Sequence, residues 1–351
     1  MKKVLLLAFI CIAGTTAMAQ DTLKVDVPPS YKEMAIQIYN QGVEQYNAKK
    51  YNEAIDYSKN AIKHDPRMTD AYLLMASAQR AIYDYKGAEA SLNSYLETGL
   101  HPGRDTIYYI LAQIYKETTR QKDEVTALTN CLNENPKFGD AYYKRGSIRF
   151  SSGDYEGALS DMTNAIDNGI DKPEIYNDRG STYRQLGRFE LALADYSKAI
   201  EMSPKAMYYC NRASIYTKIE EPEKAINDYT QAIIRDSKYY KAYNGRGVVN
   251  ANLHNYQEAI DDFTVCLSHE PTYTSALSNR GIAYYHMGQY AKAVSDLDAA
   301  IALEPHNGNT YMYRGNVKEM MRDAKGATED WIKASSLGVK TADRYFTDQC
   351  R

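Results

Sequence analysis

A period of about 34 residues runs through this chain and constrains its fold more than any other feature. Four stretches repeat one another: Tyr51-Asn-Glu-Ala-Ile-Asp-Tyr, Tyr155-Glu-Gly-Ala-Leu-Ser-Asp, Tyr256-Gln-Glu-Ala-Ile-Asp-Asp and Tyr290-Ala-Lys-Ala-Val-Ser-Asp. Prolines recur near unit ends at Pro66, Pro136, Pro204, Pro271 and Pro305. Aligned on these, nine units begin at Ala35, Thr69, Asp105, Gly139, Pro173, Ala206, Tyr240, Thr274 and Gly308, with spacings of 33 to 36 residues. A repeat of this size is one supersecondary unit that cannot bury its apolar face alone, so consecutive copies must stack.

Position by position, the units read as pairs of packed helices. Position 8 is always Gly or Ala (Gly42, Ala76, Ala112, Gly146, Gly180, Ala213, Gly247, Gly281, Gly315). Position 20 is Ala in eight units, with Glu124 the exception, and position 27 is small except at Tyr95. Small residues at these heights let two antiparallel helices approach while large ones interlock. The large ones recur at position 4, mostly Tyr, and at position 24, from Leu92 to Trp331. Both sets fall on the apolar stripe of a helix, which accounts for a composition of 33 Tyr against 6 Phe and 1 Trp. Gly153, Gly187 and Gly288 at position 15 suit a left-handed residue ending the first helix. A capping box, Ser30 to Glu33, predicts that the first helix starts near Tyr31.

The period and these residues resemble the tetratricopeptide repeat throughout 35–341. The resemblance implies an all-α, right-handed α-solenoid of nine helical hairpins, spanning 31–341 after a linker at 20–30 and followed by a capping segment at 342–351. It also implies a concave groove lined by the first helices at positions 2, 5, 9, 12 and 13. The groove candidates are Tyr109, Tyr143, Phe150, Asn177, Arg184, Lys241, Asn244 and Tyr285. Small Ser and Asn there would leave room for the backbone of a bound segment, and the aromatic residues could anchor apolar side chains. Family members that clamp a chaperone's terminal carboxylate use clustered groove Lys and Asn. Lys241 and Asn244 stand without that cluster, so this activity is not carried over.

Two features enter the array together. Position 7 is Arg145, Arg179, Arg212, Arg246, Arg280 and Arg314 in units four to nine, and position 23 of the same units is Asp161, Asp195, Asp228, Asp262, Asp296 and Asp330. Units one to three have neither. Antiparallel helices turning near position 16 bring these two positions to nearly equal height, so pairing inside each hairpin is expected. Pairing with the neighbouring unit is nearly as good geometrically. The sequence thus predicts a structural ladder rather than an open track of arginines.

The N-terminus reads as an export signal. Lys2 and Lys3 precede an apolar run from Val4 to Ala13, and Ala17-Met18-Ala19 offers a cleavage site, with processing expected after Ala19. Ten apolar residues fall short of the roughly 20 that span a bilayer as a helix, and no later segment is apolar enough to cross. Bulky Ile10 before Cys11 argues against a lipoprotein signal. The expectation is a periplasmic or secreted protein without a transmembrane segment after processing. Losing Lys2 and Lys3 leaves 40 Lys and Arg against 45 Asp and Glu, a net charge of −5. That balance is not a nucleic-acid footprint, which needs clustered cations on one face.

No catalytic or metal pattern appears. The six His have no ligand spacing; His254 falls in a hairpin turn, and His64 and His269 at the ends of second helices. Gly-x-Ser-x-Gly and phosphate-binding loops are absent. Cys131, Cys210, Cys266 and Cys350 are expected as free thiols, since Cys131 and Cys266 take core positions in distant units. The expectation is a non-enzyme without cofactor or metal that binds another protein or a peptide segment in the cell envelope. The alternative, from another class, is a glycan- or peptidoglycan-binding module using groove tyrosines. The partner's identity and the oligomeric state are not legible.

Overall fold

The computed structural model describes residues 27–100, 102–342 and 345. The export signal, its cleavage site, Cys11, His101 and Cys350 lie outside the described residues. Among those described there are eighteen α-helices, one short 3-10 turn and no strand. By its internal contacts the chain divides into two compact units between Ala141 and Tyr142. The first holds α1 (Pro29–Asn47), α2 (Tyr51–His64), α3 (Thr69–Ala81), α4 (Tyr85–Glu97), α5 (Arg104–Glu117) and α6 (Gln121–Glu134). Helix α7 (Gly139–Ser151) runs across the boundary. The second holds α8 (Tyr155–Asp167), α9 (Pro173–Gln185), α10 (Phe189–Met202), α11 (Ala206–Lys218), α12 (Pro222–Arg235), α13 (Tyr240–Asn252), α14 (Tyr256–His269), α15 (Thr274–His286), α16 (Tyr290–Leu303), α17 (Gly308–Met320) and α18 (Ala324–Ser336), then the turn Lys340–Ala342.

Helices pair as nine hairpins, and the expected unit starts coincide with the first residue of α3, α7, α9, α11, α13, α15 and α17. The core follows the predicted positions. All eight Ala at position 20 are fully buried, as are Leu92, Leu128, Tyr196, Phe263, Leu297 and Trp331 at position 24. A methyl group added at Gly247 would meet the Phe263 ring at 2.7 Å, and one at Gly315 would meet Trp331 at 2.6 Å. The small residue at position 8 is therefore what admits the large one at position 24.

The turn is more uniform than its sequence. Gly153, Gly187 and Gly288 are left-handed as expected, and so is position 15 of the other six units: Lys49, Tyr83, Thr119, Glu220, His254 and Arg322, with φ from 58° to 64°. Stacking dictates the same reversal in every unit, so residues that disfavour this region adopt it anyway. Most second helices end in one of two ways. At Asp65, Asn135 and Ser203 an extended residue precedes proline, which cannot continue a helix, and Pro271 and Pro305 follow the ends of α14 and α16 in the same way. At Gly99, Gly169 and Gly338 a left-handed glycine does the same work.

One expectation is corrected. Helix α1 starts at Pro29, not near Tyr31, and no side chain caps it. Proline at the first helical position is pre-set for the helical φ and has no N–H to satisfy, so the chain needs no capping box there. Tyr95, the odd large residue at position 27, also finds its reason. Its hydroxyl donates to the Pro102 carbonyl at 2.6 Å and accepts from Thr69 Oγ1 at 2.8 Å, holding the longer connection before α5.

Thr119 is exposed and β-branched, with φ of 58°. Thr119→Gly relieves that conformation, offset in part by the added freedom of glycine in the unfolded chain. It should stabilise the protein by about 1 kcal/mol, read as a higher denaturant midpoint at unchanged m-value.

Candidate functional site

The six Arg–Asp pairs form inside their hairpins, as the sequence predicts. Each Arg Nε and Nη2 donates to the two carboxylate oxygens of the Asp sixteen residues on, at 2.6 to 2.9 Å, from Arg145–Asp161 to Arg314–Asp330. Every one of these Asp is buried. The neighbouring unit takes part as well. The remaining Nη1 of Arg212, Arg246, Arg280 and Arg314 donates back to Ser197, Thr230, Thr264 and Asp298, all at position 25 of the preceding unit. Tyrosines flank the guanidinium: Arg179 lies 5.8 Å from the centroids of Tyr176 and Tyr183, and Arg212 lies 5.9 and 6.0 Å from Tyr209 and Tyr216. At the two ends of the ladder a second cation joins, Arg149 on Asp161 and Lys318 on Asp330, each at 2.8 Å. These arginines hold the fold and are not an open anion track.

The groove candidates of the second compact unit sit on the first helices α7, α9, α13 and α15. Tyr143 on α7 donates from its hydroxyl to Asp178 Oδ2 on α9 at 2.7 Å. Asn177 Nδ2 donates to Asp178 Oδ1 at 3.1 Å, and Asn211 Nδ2 on α11 donates to Asn177 Oδ1 at 2.8 Å. Further along, Asn279 on α15 donates to Asn244 on α13 at 3.4 Å. Position 5 of one unit thus meets position 6 of the next. Arg184 Nη1 reaches Ser214 Oγ at 3.4 Å. Lys241 is exposed. Phe150 packs edge-on against Tyr155 at 5.5 Å, and Tyr285 against His286 at 5.1 Å. In the first unit, the Tyr109 ring tilts against Phe138 at 4.8 Å. Between α15 and α17 a cavity of about 250 Å³ is lined by Ser278, Asn279, Ile282, Thr310 and Tyr313 among others. Asp178 and Asn211 were not among the candidates; their signal is polar character at position 6, next to a candidate position.

Electrostatics separate these groups. Burial first, then the hydrogen bond to Asp178, pushes the Tyr143 phenol well above its ordinary range. Burial raises the Asp178 carboxyl too, Glu174 adds to this, and the hydrogen bonds from Tyr143 and Asn177 oppose it. Burial pushes the thiols of Cys131 and Cys210 up to about 12 and Cys266 up to about 11. None of the three is in a disulfide, and at such values the reactive thiolate is scarce. Among the described residues no group of three or more His, Cys, Asp or Glu could hold a metal ion, and no helix is long and apolar enough to cross a membrane.

Two predictions follow from the charges. Asp228→Leu leaves the largely buried Arg212 without its counter-charge and should destabilise by about 3 kcal/mol, while adding Arg212→Met should recover part of that loss in chemical denaturation. For Asp178, a folded pKa above the unfolded one gives stability that is present in acid and lost as pH rises through the folded value. The stability advantage of Asp178→Asn over the parent should therefore grow as pH is raised from about 4 to neutrality, read in parallel thermal melts.

Tetratricopeptide-repeat family models match residues 173–205, 210–265 and 274–307, all in the second unit. No curated protein matches the chain. Among solved structures, a tetratricopeptide repeat protein from Parabacteroides merdae superposes with a TM-score of 0.56 at 22% identity, covering 68% of this chain and 94% of that one. PilF of Pseudomonas aeruginosa gives 0.55 at 16% identity, over 60% of this chain and 97% of that one. PilW, a widely conserved type IV pilus biogenesis factor, gives 0.52 at 15% identity, over 56% and 92%. At these identities the likeness is one of fold. The chain is an all-α array of helical hairpins that carries tetratricopeptide repeats, a fold typical of protein-interaction scaffolds.

Proposed function

We propose that this chain is a non-enzymatic scaffold of the cell envelope, exported by its N-terminal signal, that binds a peptide segment or partner domain along its first helices. The observation that carries this reading is the row Tyr143, Asn177, Asn211, Asn244 and Asn279, contributed by successive first helices of the second unit. Hydrogen bonds between units fix these side chains in place, so a partner would meet a pre-ordered polar strip rather than freely rotating side chains. An extended backbone offers alternating donors and acceptors, and Asn amides supply both. Phe150 and Tyr285 add half-buried aromatic surface of the kind that anchors interfaces. Four of the six ladder carboxylates, Asp195, Asp228, Asp262 and Asp296, are each met by one bidentate arginine, an arrangement that serves structure rather than proton transfer.

A crosslinked pull-down from the protein's own envelope tests the reading. Defined proteins should be captured, and Tyr143→Ala combined with Tyr285→Ala should lose them while the fold is retained by circular dichroism. Recovery of saccharide alone would assign the strip to glycan binding instead.

A further inference from the structure

Among the described residues no cation pairs with Asp178. Each of the six ladder Asp faces a bidentate arginine, and Glu174, one turn before Asp178 on α9, is met by Lys205 Nζ at 2.6 Å. Among the described residues Asp178 accepts from neutral groups, the Tyr143 hydroxyl at 2.7 Å and the Asn177 amide at 3.1 Å. Asn211, one unit further on, orients that amide by donating to its oxygen at 2.8 Å. A chain of donors from three units thus converges on one half-buried negative charge. An ionised carboxylate has about four lone-pair sites, and the two neutral donors leave room for two more bonds. Burial and the nearby Glu174 disfavour the charge where it stands, so an incoming cation would relieve an existing penalty as well as form a new bond.

Resting on the reading of the first helices as a binding face, we propose that Asp178 anchors a lysine ammonium or arginine guanidinium of the bound segment. Tyr143 and Asn177 position the carboxylate, one donor on each oxygen. A guanidinium can take the two remaining sites in parallel, and an ammonium can take either. The recognition is by charge, which sets the partner's chemistry: a basic residue flanked by chain able to lie along α7, α9 and α11. A purely structural role for Asp178 would need only its acceptor capacity, which asparagine keeps in part.

The test passes a randomised dodecapeptide pool, acetylated and amidated at its ends, over the immobilised full chain and over its Asp178→Asn variant. Retained peptides are sequenced, and the best is remade with citrulline or norleucine for its basic residue. We expect Lys and Arg to be enriched at one position on the parent and not on Asp178→Asn. The neutral analogue should bind the parent roughly tenfold more weakly, and Asp178→Asn should not distinguish the two peptides. Equal enrichment on both proteins, or retained peptides without a basic preference, overturns the anchor and leaves the peptide-binding face standing. Failure of the parent to retain any peptide overturns both. Thermal melts of the two proteins keep a folding defect from passing as lost recognition.

Discussion

Close approach of the two helices in each hairpin is the constraint on which the other features depend. In eight of the nine hairpins Gly or Ala at position 8 meets Ala at position 20, and the absence of bulk there lets the two helices come close; Glu124 is the exception at position 20. A methyl group on Gly146 would sit 3.2 Å from Asp161 Cβ, so the same approach that packs the core also sets the separation of Arg145 and Asp161. At that separation a guanidinium and a carboxylate meet in parallel, with both donors in line. The ladder is thus a consequence of packing density. Where large residues replace its members, as Leu111 and Tyr57 do in units one to three, the hairpins still form.

The ladder's contribution is one of register more than of net stability. Ion pairs taken from water lose hydration that their mutual attraction only partly returns. A guanidinium, however, has five donors in a fixed plane. Two pairs of atoms satisfy the Asp of its own hairpin, and Nη1 remains to reach the preceding unit at Ser197, Thr230, Thr264 or Asp298. One side chain therefore specifies both the pairing within a hairpin and the stacking of the next upon it. Flanking tyrosines lie within 6.0 Å of the guanidinium at Arg179 and Arg212. At the ends of the ladder, Asp161 and Asp330 recruit a second cation from the next turn of the same helix as their arginine, at position 11. In the second hairpin the neutral pair Gln79 and Ser91 occupies that position, 2.8 Å apart.

On the first helices the same economy of contacts turns inward-facing polar residues into links between units. Tyr143, Asn177 and Asn244 were candidates for binding a partner, and each is also hydrogen-bonded to the next unit. The two roles are compatible, because an amide or carboxylate engaged at one lone pair keeps others. They also differ in consequence: a neutral link is complete in itself, whereas Asp178 carries a charge that no cation among the described residues matches.

Sequence alone determined the array of helical hairpins, the buried Ala and aromatic positions, and the Arg–Asp pairing. Each is a periodic property, and nine imperfect copies of a pattern isolate it from the noise of any single copy. What it could not decide was whatever depends on where neighbouring units fall relative to one another. The left-handed backbone at Lys49, Tyr83 and Thr119 has no residue signature, because stacking imposes it over local preference. The capping box at Ser30 was overridden by Pro29, a stronger local device one residue earlier. The meeting of position 5 with position 6 of the next unit, and with it the isolated charge of Asp178, arises from the offset between adjacent hairpins. That offset is set by three-dimensional packing, which a 34-residue spacing implies without specifying.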